Sequence, residues 1–133
     1  MRTGWDTQAS VGMIKLLGGF PENVIACSGE GHITRKDYED VLIPRVNAAL
    51  SRYPKIRVYY ELGPAFNGIE AGAAWEDFTL GIEHLSRWER MAVVTDVAWI
   101  RHALNAFGMF MPGRLRVFAV NQESDARARI QGN

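Results

Sequence analysis

Between Ile56 and Leu62 the chain alternates, with Ile56, Val58, Tyr60 and Leu62 on one side and Arg57, Tyr59 and Glu61 on the other. A period of two marks a strand with two unequal faces. A glycine-rich stretch follows, and then Ala71, Trp75, Phe78, Ile82 and Leu85 recur at spacings of four and three. That spacing gathers them on one stripe of a 3.6-residue helix, expected to face the sheet. Trp75 lies in mid-stripe, so Trp75→Ala is expected to cost about 3–5 kcal/mol, as for a large buried side chain. Asp77 lies off the stripe, where a truncation costs about 0.5 kcal/mol.

The same patterning places the other elements. Met13 to Leu17 and Val24 to Ser28 are short apolar runs joined by Gly18-Gly19-Phe20-Pro21-Glu22-Asn23, which predicts an antiparallel hairpin. Thr34 followed by Asp37 is a capping-box-like helix start, and Tyr38, Val41, Leu42, Val46, Ala49 and Leu50 supply an apolar face. Pro44 falls inside this pattern, so a kink or break is expected near Ile43. Arg90 to Thr95 reads as a strand and Asp96 as the cap of the next helix. In that helix Val97, Ile100, Leu104 and Phe107 form a core stripe, while Trp99, Ala103, Ala106 and Phe110 form a second apolar line. Leu115 to Val120 reads as the last strand, and Asn121 as the cap of a weak final helix containing Ala126 and Ile130. The order ββαβαβαβα implies parallel strands joined right-handedly, with the crossover helices on one face of the sheet. Arg57, Tyr59 and Glu61 fit the less covered face. Residues 1–12 show no sustained period and read as a loose arm before a single domain over 13–130.

Composition narrows the function classes. A chain of 133 residues with 47% hydrophobic and 23% charged residues suits one domain with a proper core. Lysine plus arginine balances aspartate plus glutamate at fifteen each, so no net field favours nucleic acid or an anionic membrane surface. Cys27 is the single cysteine, and with no secretory or membrane-spanning apolar run the chain reads as cytoplasmic. His32, His84 and His102 lack the paired spacing of a metal site. No motif calls for a cofactor. Cys27 reads as a small buried residue rather than a reactive thiol. Glu61 could act as an acid or base, but no partner is tied to it by sequence. The loop Gly63 to Gly72 ends at a helix N-terminus that could hold an anion, although Glu70 there points to ordinary capping. Asp77, Leu80 and His84 share a second face of the helix, suited to a subunit contact. The chief anomaly is an apolar surplus around Trp99, Phe107, Met109, Phe110 and Met111, which suits core, subunit interface or ligand pocket.

The segments GEGHITRKDYEDVLIPRV, VYYELGPAFNGIEAGAAWEDFTLGIEHLSRWERMAVVTDVAWIRHALNAFG and RVFAVNQESDA resemble the SpoIIAA-like group of the STAS superfamily, whose wider fold relatives include Sec14 (CRAL-TRIO) lipid-binding domains. The resemblance implies an α/β fold: a βα superhelix with a mostly parallel four- or five-stranded sheet, an antiparallel first strand and helices mainly on one face. It also implies mainly non-catalytic duties. The better-understood relatives carry a phosphorylated serine at the start of the helix after the third strand. No serine or threonine lies between Glu61 and Phe78 here, so that switch has no acceptor. The first expectation is therefore a protein-interaction or oligomerisation module, a homodimer or a partner of another protein. The alternative is a Sec14-like carrier of a small apolar ligand or lipid, held between the sheet and the Trp99–Met111 segment. The residues expected to meet ligand or partner are Glu61, Phe66, Asn67 and Asp77, together with Trp99, Phe107, Phe110 and Met111.

Overall fold

In the computed structural model, which describes residues 13–132 apart from the side chains of Glu76, Asp77, Phe78 and Ile82, ten elements follow in order. They are β1 (Met13–Leu16), β2 (Val24–Ile33), α1 (35–52), β3 (Ile56–Leu62), β4 (Phe66–Ile69), α2 (Ala71–Glu83), β5 (Trp88–Thr95), α3 (Ala98–Phe107), β6 (Leu115–Phe118) and α4 (Glu123–Gln131). The arm expected over residues 1–12 lies outside the described residues. The sheet order is β1-β2-β3-β5-β6, with β4 on β2, and every pairing is parallel except β1 with β2.

Strand alternation decides which side chains meet which helices. Ile25, Cys27, Val58, Tyr60 and Val93 point to one face, where Tyr38, Leu42 and Val46 of α1, Leu80 of α2 and Ile100 of α3 complete the main core. Val24, Ala26, Tyr59, Ala92 and Val94 point the other way and meet Ala126 and Ile130 of α4. Three helices thus cover one face, as the crossover order requires, and among the described helices α4 alone crosses the other. Its apolar contribution is small, and arginines help to hold it. Arg57 Nη1 donates to the Ile130 carbonyl at 2.9 Å, and Arg90 Nη1 to that of Arg129 at 2.9 Å. Both cations meet carbonyls of the last turn, where the helix dipole favours positive charge.

The capping box at the start of α1 forms as expected, with Asp37 Oδ2 accepting from the Thr34 amide at 2.8 Å and Thr34 Oγ1 from that of Asp37 at 3.3 Å. Pro44 is met by a wide turn: Tyr38–Leu42 is π-helical, with the Ile43 amide bonded to the Tyr38 carbonyl, and Ile43–Arg52 resumes as α. An inserted residue of this kind lets the chain absorb a proline that can neither donate nor tolerate the carbonyl four residues back.

Four local expectations are corrected. First, β2 runs on through Gly29-Glu30-Gly31-His32 to Ile33, and Phe66–Ile69, expected as loop, is a strand beside its end. Gly31, at φ +64°, supports the bulge where β2 changes partner from β3 to β4. Second, the α2 stripe is rotated. Trp75 is 68% exposed, whereas Ala73 and Leu80 are buried. The reason is close approach: a Cβ on Gly81 would lie 2.8 Å from Phe107 Cζ, so α2 meets its neighbour through its smallest residue. Third, Val97 rather than Asp96 is the N-cap of α3; Thr95 Oγ1 accepts from the Val97 amide at 3.1 Å, and Asp96 Oδ1 from that of Val120 at 3.0 Å. Fourth, a 3-10 turn over Val120–Gln122 leads into α4, and Gln122 Oε1, not Asn121, accepts the Ala119 amide at 2.9 Å.

Candidate functional site

Glu61 leaves β3 on the face covered by α4. Its Oε2 accepts the Tyr59 hydroxyl at 2.5 Å and lies 3.6 Å from Arg127 Nη2. The Arg127 guanidinium rests over the rings of Phe20 and Tyr59, 5.2 Å from each centroid, and its Nε donates to Glu123 Oε2 at 2.9 Å. Burial, and then the bond to Glu61, hold the Tyr59 phenol well above its ordinary pKa. Each group of this cluster is engaged with another, and together they latch α4 to the sheet. Arg127 was not singled out from the sequence. Its role depends on Tyr59 and Glu61, 68 and 66 residues earlier in the chain.

At the C-terminal end of the parallel strands, the starts of α1 and α2 lie side by side. Glu70 Oε1 accepts the amide of Arg35 at 3.1 Å, so this carboxylate caps the neighbouring helix. With Thr34 and Asp37 already capping each other, the Arg35 and Asp37 amides at the start of α1 are both engaged within the protein. On β4, Phe66 is half-buried and Asn67 exposed. The side chain of Asp77 lies outside the described residues.

The apolar surplus divides sharply. Met111 is fully buried and belongs to the main core, the first of the three readings of this apolar run, so it is not part of any exposed partner surface. The chain leaves the α-helix at Gly108 in a 3-10 turn, and the Met111 amide returns to the Gly108 carbonyl at 3.0 Å. That turn swings Met111 inward. Phe107 is half-buried against Gly81, with its ring centroid 6.4 Å from that of Phe110. By contrast, Trp99 is 54% exposed, Met109 80% and Phe110 60%. Ala103 and Ala106 are exposed between them. The second apolar line along α3 therefore faces outward.

Charge makes this face unusual. From Ala98 to Phe110 the exposed residues are Ala98, Trp99, His102, Ala103, Asn105, Ala106, Met109 and Phe110, and none is Asp, Glu, Lys or Arg. Arg101 is half-buried and donates to the Thr95 carbonyl at 2.8 Å. An ordinary solvent face looks like that of α1, where Lys36 and Asp40 pair at 2.8 Å and Arg35 and Glu39 at 3.2 Å. Depletion of charge beside exposed aromatics is the signature of an interface centre.

A cleft of about 340 Å³ lies elsewhere, between α1 and α2, with Ile43 and Leu80 among its apolar lining and the polar and charged side chains of Arg35, Asn47, Glu83 and His84 around them. Among the described residues, no group of three His, Cys, Asp or Glu side chains could hold a metal ion, and no helix is long and apolar enough to cross a membrane.

Comparison with known proteins agrees with the fold. The chain is similar to a crystal structure of an uncharacterized protein from the DUF3478 family with a SpoIIAA-like fold, from Shewanella loihica PV-4. The match has a TM-score of 0.71 and 23% identity, and covers 90% of this chain and 95% of that one. No curated protein matches the chain. The model of the SpoIIAA-like family matches residues 24–131, from the start of β2 to the last residue of α4. With that match over most of its length, the chain belongs to the SpoIIAA-like family.

Proposed function

We propose that this SpoIIAA-like domain is a non-catalytic protein-interaction module that works through the exposed face of α3 and without a phospho-serine switch. The observation that carries the reading is the uncharged, aromatic-bearing surface from Trp99 to Phe110. Two further features support it. The segment from Leu62 to Asp77 offers no hydroxyl for phosphorylation. The residues weighed as chemical groups have structural work: Cys27 is fully buried, and Glu61 is engaged by Tyr59 and Arg127.

The test is photo-crosslinking in cells of the source organism, with a benzoyl-phenylalanine in place of Phe110 and, as a control, of exposed Lys36. Discrete crosslinks to protein are expected from position 110 and not from position 36. Equal, diffuse labelling from both positions would overturn the reading.

A carrier of a small apolar molecule is the second reading, favoured by the cleft between α1 and α2. Its volume lies at the lower end of the range for ligand sites, about 300–1,000 Å³. Native mass spectrometry of protein purified from its own source separates the readings, since a retained small-molecule mass favours the carrier.

A further inference from the structure

We propose that the partner of the α3 face is a second copy of this chain, docked with the two α3 helices antiparallel about a twofold axis that passes between positions 104 and 105. This rests on the reading of α3 as an interaction face and adds to it the partner and the register.

The first argument is the order of sizes. Along the exposed line the side chains run large, small, small, large, at Trp99, Ala103, Ala106 and Phe110. That order reads the same in both directions. An antiparallel copy therefore sets Trp99 across from Phe110 of the second copy, and Ala103 across from Ala106 of the second copy. The paired alanines let the backbones approach, and the aromatic rings fill the space at each end. A twofold interface needs a surface complementary to itself, and this one has that property.

The second argument is charge. A surface built for a different protein can carry charges, because the partner can supply opposite ones. Close to a twofold axis a charge lies near its own copy as well as near the residue it faces, and like charges brought together are destabilising. A self-pairing face must therefore be neutral near the axis. The exposed residues within about one turn of the axis are His102, Ala103, Asn105 and Ala106, and none is Asp, Glu, Lys or Arg, in a chain where 23% of residues are charged.

Area sets the strength. With aromatic side chains of about 150–250 Å² each, the exposures of Trp99 and Phe110, with Met109 beside them, leave on the order of 400 Å² of apolar surface per copy. A standard interface takes roughly 800 Å² from each partner. The flanking alanines, His102 and Asn105 add to this area, and the sum describes a reversible dimer rather than a permanent one.

The register is read by disulfide mapping with Trp99→Cys and Phe110→Cys, since the native Cys27 is fully buried and a mixed pair still keeps one Trp99–Phe110 contact at its other end. In the antiparallel pair these two positions on opposite copies face each other across the seam, whereas each is displaced by 11 residues, about 16 Å along the axis, from its own copy. A disulfide spans Cα atoms only about 4.4–6.8 Å apart. Mixing the two variants under mild oxidant should give a crosslinked heterodimer, and neither alone should crosslink. Light scattering should show the native chain dimeric at tens of micromolar. Ala103→Glu/Ala106→Glu should be monomeric and should melt like the native chain measured at dilutions where it too is monomeric, because both positions are exposed helix sites.

Self-crosslinking of either variant alone would overturn the antiparallel register. A native chain that stays monomeric to high micromolar concentration would overturn self-pairing altogether. If that monomer still gives crosslinks in cells to a different protein, the interaction reading stands and only the identity of the partner fails. If it gives none, both fail.

Discussion

Replacing Trp88 by alanine removes a large side chain that joins β5 to α2. Trp88 is 3% exposed, and its Nε1 donates to the Gly81 carbonyl at 2.9 Å. That carbonyl lies in the last turn of α2, where backbone acceptors lack a partner within the helix, so the indole satisfies a group the helix cannot. Covering a tryptophan removes about 150–250 Å² from water. At about 25 cal/mol per Å² this is roughly 4–6 kcal/mol, an upper figure because the unfolded chain is itself partly compact. The expected cost of Trp88→Ala is therefore about 4 kcal/mol, within the usual range for such truncations. Trp75 differs in degree. It is 68% exposed, so about a third of its surface is covered, worth at most about 2 kcal/mol. Alanine then returns a few tenths of a kcal/mol of helix propensity, leaving a net cost of about 1 kcal/mol. The assay is urea unfolding followed by far-ultraviolet circular dichroism, with the slope held common to wild type and variants. At a few degrees per kcal/mol, Trp88→Ala should melt about 10 °C or more below wild type and Trp75→Ala only a few degrees below. Trp88→Phe should fall between them, since it keeps much of the ring but leaves the Gly81 carbonyl unpaired. Equal losses for Trp75→Ala and Trp88→Ala would refute the orientation of α2 and the packing drawn from it.

Two further predictions concern single interactions. Thr34→Ala removes the hydroxyl that accepts the Asp37 amide and should cost about 1 kcal/mol by urea midpoint, with no change refuting a working capping box. The Tyr59 phenol has a raised pKa in the folded protein, first through burial and then through its bond to Glu61, so its stabilising contribution is complete below pH about 10 and declines as pH climbs toward the folded value. Wild type should therefore lose melting temperature more steeply than Tyr59→Phe between pH 9 and 11, and parallel curves would contradict the assignment.

What was legible in the sequence was local. The alternation from Ile56 to Leu62 assigns both faces of β3 correctly, because a strand of period two leaves its side chains only two directions. The Thr34–Asp37 capping box likewise depends on four consecutive residues. β4 was hidden because Phe-Asn-Gly-Ile is a strand only by virtue of its partner, the far end of β2 beyond the Gly31 bulge. Glu70 looked like a cap for its own helix and caps α1 instead, a choice made by the side-by-side packing of two helix starts.

The helix faces show why size and periodicity must be weighed together. On α2 the large apolar residues define a stripe, yet the contact with α3 goes through Gly81, since only a residue without a side chain lets Phe107 come so near. Counting hydrophobic positions selects the bulkiest side, and docking distance selects the smallest. On α3 the two criteria agree. Ile100, Leu104 and Phe107 point inward, and the line from Trp99 to Phe110 is left outside with alanines at its middle. In the proposed pairing the alanines serve the same purpose as Gly81 within the domain: they let another helix come close. Helical counting fails one residue later, because the 3-10 turn after Phe107 shifts the phase and carries Met111 into the core. The same turn leaves Met109 and Phe110 outside, so the end of α3 divides one apolar run between the core and the face that the second copy is proposed to cover.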